Sequence, residues 1–131
     1  MKVVKIVTKY LLVAFFIFAG VRHFLDPDFY LNLMPDYLPA HAFLVYFTGV
    51  TEVMAGIMLA IPKLSRWGAW FIIAHLVAFF SVHFWMIQES ERYVGDGITI
   101  ELLWVRIVMQ VVFIVWAYWY VSDKPAKGAT A

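Results

Sequence analysis

Long runs of apolar residues dominate the chain, and short polar or proline-containing segments separate them. A helix crosses a membrane with about 20 apolar residues, and four of these runs are long enough. They predict transmembrane helices over residues 4–24, 41–61, 65–86 and 100–121. The pattern therefore predicts an all-α fold, a four-helix bundle forming one transmembrane domain over residues 1–121. Residues 122–131 are predicted to be a disordered tail.

The segment between the first two predicted helices, residues 26–40, is apolar but contains Pro27, Pro35 and Pro39. Because proline interrupts a helix interior, this segment should not form one long helix. We expect it to lie along the membrane interface, with its aromatic side chains at headgroup depth and over the mouth of the bundle.

Basic residues near the predicted helix ends fall on one side of the bundle, whereas the two loops on the other side are acidic. The basic set is Lys2, Lys5, Lys9, Lys63, Arg66, Lys124 and Lys127. Because basic loops stay on the cytoplasmic side, both termini are expected in the cytoplasm. The first helix could instead be a cleaved signal peptide, but its length and the poor cleavage site before Arg22 favour its retention. The expected location is the inner (plasma) membrane.

Composition supports this interpretation and excludes several classes of function. Hydrophobic residues make up 64% of the chain and charged residues 15%, and the mean hydropathy is +0.81. Soluble domains contain roughly 45–50% apolar residues. A formal charge of +1 gives no basic excess, so no nucleic-acid partner is expected. The absence of cysteine excludes thiol–disulfide exchange, a cysteine-ligated zinc ion and an iron–sulfur cluster within this chain.

Six polar side chains inside the predicted helices are the candidate functional residues, as a ligand-binding site or a buried polar network. They are His23, Glu52, His75, His83, Arg106 and Gln110. An ionisable residue at the centre of a lone helix costs about 2.5–3.5 kcal/mol, so each should face the interior and have a partner. At about 1.5 Å per residue, His23, His83 and Arg106 fall near one level in the membrane. The other three candidates fall near a deeper level.

We predict an ion pair between Glu52 and Arg106, with Gln110 on the same face as Arg106. The residues that share a face with Glu52 are small or polar, as close packing around a buried carboxylate requires. They are Thr48, Gly49, Ala55 and Gly56. The alternative is that the pair only fixes the register of the helices. For His75, a hydrogen-bonded core histidine is the favoured interpretation.

Metal and haem sites find little support in the sequence. His23 and His83 lie at similar depth on different helices, as a bis-histidine haem requires, but nothing else favours haem. A metal site built from them with Glu101 is no better supported, because no His/Glu pair has the spacing i, i+3 or i, i+4. We therefore predict no metal site.

Several short motifs run in order along the chain. They are Gly20-Val21-Arg22-His23-Phe24, Pro35 to Pro39, Gly49-Val50-Thr51-Glu52, Pro62, Arg66 and Arg106-Ile107-Val108-Met109-Gln110. Over about residues 7–121, their order and spacing resemble the DoxX-like family. The resemblance implies a four-helix inner-membrane protein, with relatives linked to thiosulfate:quinone oxidoreductase, to redox-defence complexes and to receptor-assembly chaperoning. The chain departs from the family at residues 81–86, where such members more often carry a Pro/Ala/Asn-type segment.

Two classes of function are open. In the first, the chain is a redox component linked to a quinone or another lipophilic ligand, whose polar head His23, Glu52, Arg106 and Gln110 bind. Arg106 would hold a carbonyl or an anion, and Glu52 or His23 would move protons. In the second, the chain is a non-catalytic accessory or assembly subunit. The expected partners are membrane lipids and either another membrane protein or a second copy of the chain.

Overall fold

The computed structural model describes residues 2–95 and 97–122. In this part of the chain the structure is all-helical, without a β-strand. The helices are α1 (Lys2–Leu25), α2 (Pro27–Leu33), α3 (His41–Ala60), α4 (Ser65–Gln88), α5 (Ser90–Tyr93) and α6 (Ile100–Tyr118). Four of them, α1, α3, α4 and α6, are long and apolar enough to cross a membrane. The prediction of an all-α chain with four such helices is confirmed, while the predicted tail lies outside the described residues beyond Ser122.

The four long helices pack as an antiparallel bundle in chain order, α1 on α3, α3 on α4 and α4 on α6. The first and last helices then meet at two points. The rings of Phe15 and Phe113 stack with their centroids 4.8 Å apart. The hydroxyls of Thr8 and Tyr120 lie 2.8 Å apart in a hydrogen bond. Each long helix therefore has two neighbours, and the ring of helices is closed.

Two glycines allow α1 and α3 to cross at very short range. A Cβ atom at Gly20 would lie 2.7 Å from the carbonyl oxygen of Gly49, and one at Gly49 would lie 2.7 Å from the Cβ of His23. Real Cβ atoms do not approach other atoms so closely, so larger residues would push the helices apart. Gly49, Glu52, Ala55 and Gly56 are all buried, as the pattern of small and polar residues predicted. This crossing sets the distance between side chains of α1 and α3.

The half of the bundle near Lys2 and Ser122, which we call the proximal half, contains the packed apolar core. Its buried residues come from all four long helices and leave almost no exposed side-chain surface. They are Leu12, Val13, Phe16, Ala55, Leu59, Ala69, Ile72, Leu76, Ala117 and Tyr120. The opposite half, which we call the distal half, carries α2 and α5.

The distal end is closed by the segment after α1 and by α5. Residues 26–40 do not form one long helix, as the prolines predicted, but the short helix α2 within them was not foreseen. The Tyr93 hydroxyl donates to the Asn32 carbonyl oxygen at 3.0 Å. Arg92 lies 3.3 Å from both carboxylate oxygens of Asp36. These contacts hold the α2 segment over the distal end of the bundle.

Candidate functional site

A cavity of about 530 Å³ lies in the distal half, enclosed by the four long helices and the α2 segment. This volume is within the range of small-molecule sites, roughly 300–1,000 Å³. Most of its wall is apolar, with phenylalanine rings from three helices. Its polar lining residues are His23, Tyr30, Thr48, Glu52, Ser81, His83, Arg106 and Gln110. Phe16 and Leu76 belong both to the lining and to the proximal core, so the core forms the floor of the cavity.

The closest polar contact in the cavity wall joins α1 to α3. His23 Nε2 lies 2.9 Å from Glu52 Oε2, and both side chains are almost fully buried. Despite this short distance, the geometry at Nε2 is not that of a hydrogen bond to Oε2. The contact therefore leaves Glu52 Oε2 available to accept a hydrogen bond from a further donor.

The other nitrogen of the His23 ring is fixed as a hydrogen-bond donor. His23 Nδ1 lies 2.8 Å from the Val45 carbonyl oxygen, which can only accept. It also lies 3.3 Å from Thr48 Oγ1. The single Thr48 hydroxyl proton goes to the Leu44 carbonyl oxygen at 2.7 Å, so the hydroxyl accepts from the ring. Both neighbours of Nδ1 are acceptors, and Nδ1 therefore carries a proton.

Tyr30 of α2 covers the His23 ring from the distal side. The two rings stack with their centroids 3.9 Å apart and their planes 24° from parallel. Burial raises the pKa of the Tyr30 phenol, with the charge on Arg22 opposing this effect. The phenol therefore stays protonated and can donate a hydrogen bond. The sequence pointed to the α2 segment as a cover but did not single out Tyr30.

The predicted ion pair between Glu52 and Arg106 is wrong, because the carboxylate partner is His23. The glycine crossing of α1 and α3 brings His23 to Glu52, whereas α6 packs mainly on α4. Arg106 instead lines the cavity from α6 and is half-buried. Among the described residues it has no carboxylate within ion-pair distance. The cavity therefore contains a guanidinium that has no ion-pair partner within 4.0 Å among the described residues.

Buried polar atoms without a hydrogen-bond partner are concentrated at the cavity. Four such atoms occur in the described part of the chain, Glu52 Oε2, Ser65 Oγ, His83 Nδ1 and Gln110 Oε1. Three of these four belong to cavity-lining residues, and only Ser65 lies at the proximal end. Because leaving a buried polar atom unpaired costs about 1–3 kcal/mol, this concentration points to polar atoms of a bound molecule.

Five of the six predicted site residues line this cavity, and His75 does not. His75 Nε2 lies 2.6 Å from Thr51 Oγ1, and its Nδ1 lies 3.0 Å from the Phe71 carbonyl oxygen. Both ring nitrogens are thus hydrogen-bonded, which agrees with the interpretation of His75 as a structural histidine. Thr48 and Tyr30, by contrast, are site residues that sequence reasoning did not identify as such.

The cavity reaches the outer surface of the bundle between helices. Four lining residues are also solvent-exposed in the isolated chain, namely Phe15, Ala78, Ser81 and Met109. Met109 is nine residues into α6, about 14 Å along the helix axis at 1.5 Å per residue. The part of the cavity wall at that depth faces the hydrocarbon region when the helices span a membrane.

The structure offers no site for haem or a metal ion in residues 2–95 and 97–122. Neither nitrogen of His23 is free to bind haem iron, because Nδ1 bonds to Val45 and Nε2 faces Glu52. In the same residues, no group of three His, Cys, Asp or Glu side chains could hold a metal ion. The polar groups of the cavity are suited to hydrogen-bonding an organic molecule.

Comparison with known proteins gives one match. Residues 12–121 match the family described as Domain of unknown function (DUF8561), and this match contains all four long helices apart from the first residues of α1. The comparisons with curated proteins and with solved structures find no match. Since the matched region covers most of the chain, including every residue of the cavity wall, the chain belongs to the DUF8561 family.

Proposed function

We propose that this chain is a multi-pass protein of the inner (plasma) membrane that binds a lipophilic molecule with a polar head in the distal cavity. In this proposal it serves as a small redox component, and a quinone is the ligand that the DoxX resemblance suggests. Both termini lie in the cytoplasm, which is consistent with Lys2, Lys5, Lys9 and Arg66 at the proximal end.

The observation that carries the proposal is the concentration of unpaired polar atoms in a largely apolar cavity. Glu52, His83 and Gln110 each present an unpaired atom, and Arg106 adds a guanidinium with no ion-pair partner among the described residues. A protein that needed only a stable bundle would fill this space with apolar side chains, as the proximal half does. An entrance through the exposed part of the wall, for example beside Met109, would give a lipid-soluble molecule a direct route to these groups.

A quinone fits the donors that the cavity contains. Its ring carries two carbonyl oxygens, and the Arg106 guanidinium, the Gln110 amide and the Tyr30 hydroxyl can donate to such oxygens. The rings of Phe15, Phe79 and Phe113 provide an apolar wall for a hydrophobic body. When bound, a quinone would supply two-electron redox chemistry coupled to protons.

The chain's own residues would hold the proton and orient the head. The His23–Glu52 pair brings the nitrogen of one titratable group within 2.9 Å of the oxygen of another. Because Val45 and Thr48 fix the ring orientation, the Nε2 edge of His23 faces Glu52. Arg106, on the facing helix, would orient an oxygen of the head.

Native mass spectrometry of the protein released from mild detergent tests this function. We expect a retained small molecule that is lost in Arg106→Ala and in Ala19→Trp, which fills the cavity from α1. His75→Gln is the matched control and should keep the ligand, because His75 lies outside the cavity. A ligand retained equally by all four proteins would contradict the proposal.

The same spectrum addresses the accessory role. A ligand-free chain that carries a second membrane protein in a fixed ratio would replace the redox proposal with an accessory or assembly function. The outer faces of the bundle are rich in aromatic rings that such a partner could contact, for example the stacked and exposed Phe43 and Phe47.

A further inference from the structure

The cavity has a definable charge inventory. Its titratable lining residues are His23 from α1, Tyr30 from α2, Glu52 from α3, His83 from α4 and Arg106 from α6. The guanidinium is always protonated, and the phenol is neutral. The neighbouring Arg22 does not line the cavity and lies 3.9 Å from Asp26, its partner on the surface. The net charge of the cavity is therefore set by Arg106, Glu52 and the two histidines.

The geometry at His23 shows how many protons the pair with Glu52 holds. Nδ1 already carries one proton, since both of its neighbours accept. At 2.9 Å, an unprotonated Nε2 and an ionised carboxylate oxygen are both electron-rich and would repel each other, whatever the alignment of the ring. A second proton is therefore held at this contact, on the ring or on the carboxyl group. With it, the pair has no net charge, and when His83 is neutral, Arg106 leaves the cavity at +1.

An isolated positive charge at this depth is costly, and an anion is the species that removes the cost. We propose that the physiological ligand is an amphipathic oxyanion, with one negative charge on an apolar body, and that it binds together with one proton. Arg106 holds the anionic oxygen, and the His23–Glu52 pair holds the proton. Suitable heads are a carboxylate, a sulfonate and the deprotonated hydroxyl of an aromatic ring. The inference rests on the proposed ligand cavity and names its substrate class.

Proton and anion are linked through the charge of Glu52. When the pair loses its proton, Glu52 becomes an uncompensated carboxylate in the same cavity, neutralising Arg106 and repelling an incoming anion. Binding of the anion therefore favours binding of the proton, and binding of the proton favours binding of the anion, because thermodynamic linkage is reciprocal. Affinity should fall as pH rises, approaching about tenfold per pH unit where the free protein has lost the proton.

The test uses full-length protein in lipid nanodiscs, with empty nanodiscs subtracted, and isothermal titration calorimetry at several fixed pH values. The probes are decanesulfonate, which stays ionised so that any proton uptake is by the protein, and decanol, its neutral counterpart. Repeating each titration in buffers of different ionisation enthalpy gives the number of protons taken up. Where the free protein already holds the proton, we expect decanesulfonate to bind with no uptake, and at higher pH we expect uptake to approach one proton per decanesulfonate. Decanol should bind with no uptake at any pH, and at the lower pH the sulfonate should bind at least about tenfold more tightly than decanol.

Three variants separate the roles. Glu52→Gln should bind decanesulfonate with no proton uptake and without the pH dependence, because a neutral pair leaves Arg106 permanently available. Arg106→Gln should weaken sulfonate binding by at least about tenfold and should change decanol binding much less, because decanol carries no charge. His75→Gln should match the wild type in every titration.

The outcomes distinguish this inference from the proposed function. If neither probe binds, or if Ala19→Trp binds both as the wild type does, the ligand cavity and the proposed function are overturned together. If decanol binds as tightly as decanesulfonate at every pH, or if the sulfonate binds with no proton uptake and no pH dependence across the whole pH range, the cavity stands and the coupled binding of anion and proton is wrong.

Discussion

The proximal and distal halves of the bundle are built from the same four long helices but are filled differently. In the proximal half, Leu59, Ala69, Ile72 and Tyr120 leave no exposed surface and pack as a continuous core. In the distal half, a cavity of about 530 Å³ replaces the core and gathers most of the buried polar side chains. One half therefore holds the helices together, and the other has space and chemistry for a ligand.

His75 and His23 show the same difference at the level of single side chains. His75 is satisfied by Thr51 and by the backbone of its own helix, and nothing about it calls for a ligand. His23 is held by Val45 and Thr48 on one side and meets an incompletely paired carboxylate on the other. Burial of a histidine alone is thus a poor sign of function, whereas an unsatisfied partner is informative.

The largest expected effect comes from removing a core side chain in the proximal half. Leu59→Ala should lower the free energy of unfolding by about 2 kcal/mol, at the low end for a buried leucine because lipid already solvates apolar groups in the unfolded helices. Phe79→Ala, which only widens the distal cavity, should cost less than about 1 kcal/mol. Reversible unfolding in mixed micelles measures both, and equal losses would contradict the contrast between the halves.

The glycine crossing should be the most sensitive point of the distal half. Gly49→Ala places a methyl group 2.7 Å from the Cβ of His23, so α1 must move away from α3. We expect a loss of about 1–2 kcal/mol in the same unfolding assay, no larger than that of Leu59→Ala. Val50→Ala, at an exposed position beside it, is the control and should be nearly neutral. Stability unchanged in Gly49→Ala would show that the crossing is looser than described.

Arg106 should reduce the stability of the ligand-free protein. Because its guanidinium has no counter-ion among the described residues, Arg106→Gln should raise the free energy of unfolding by about 1 kcal/mol. The same variant should lose the ligand in native mass spectrometry. A variant that is less stable than the wild type would show that Arg106 is a structural residue and not a ligand-binding one.

The smallest expected losses of stability come from removing the hydroxyl group of Thr51 or of Thr48. Thr51→Val removes the hydroxyl that pairs with His75 Nε2 and should cost about 0.6 kcal/mol, the average for a hydrogen bond between membrane helices. Thr48→Val should cost less, because Val45 still accepts from His23 Nδ1. Thermal denaturation in detergent ranks the two, and a larger loss in Thr48→Val would mean that Val45 does not hold the ring.

Much of the fold follows from the sequence because its signals are local. Apolar runs of sufficient length predict the four long helices, and the prolines from Pro27 to Pro39 predict the break after α1. The short helices α2 and α5 were missed because seven and four residues give no measurable periodicity. Five of the six candidate residues line one cavity, although depth along the helices had assigned them to two levels.

The ion-pair partner of Glu52 could not be predicted from depth along the helices. Depth along a helix does not reveal which helices are neighbours, and both His23 and Arg106 lie at a suitable height. The choice depends on the close approach of α1 to α3 at Gly20 and Gly49, which is a property of the packed bundle. The sequence contained that signal in the small residues beside Glu52, but their partner helix was not identified.

Cysteine labelling gives the most direct test of the central claim that the distal half contains a ligand cavity and the proximal half does not. The chain has no cysteine, so Ala19→Cys in the cavity wall and Ala69→Cys in the proximal core each provide one thiol. In membranes treated with a small membrane-permeant maleimide, we predict that the first thiol reacts, that decanol slows its reaction, and that the second does not react. Equal reactivity of the two thiols, or a reaction at the first that decanol does not slow, would contradict the claim.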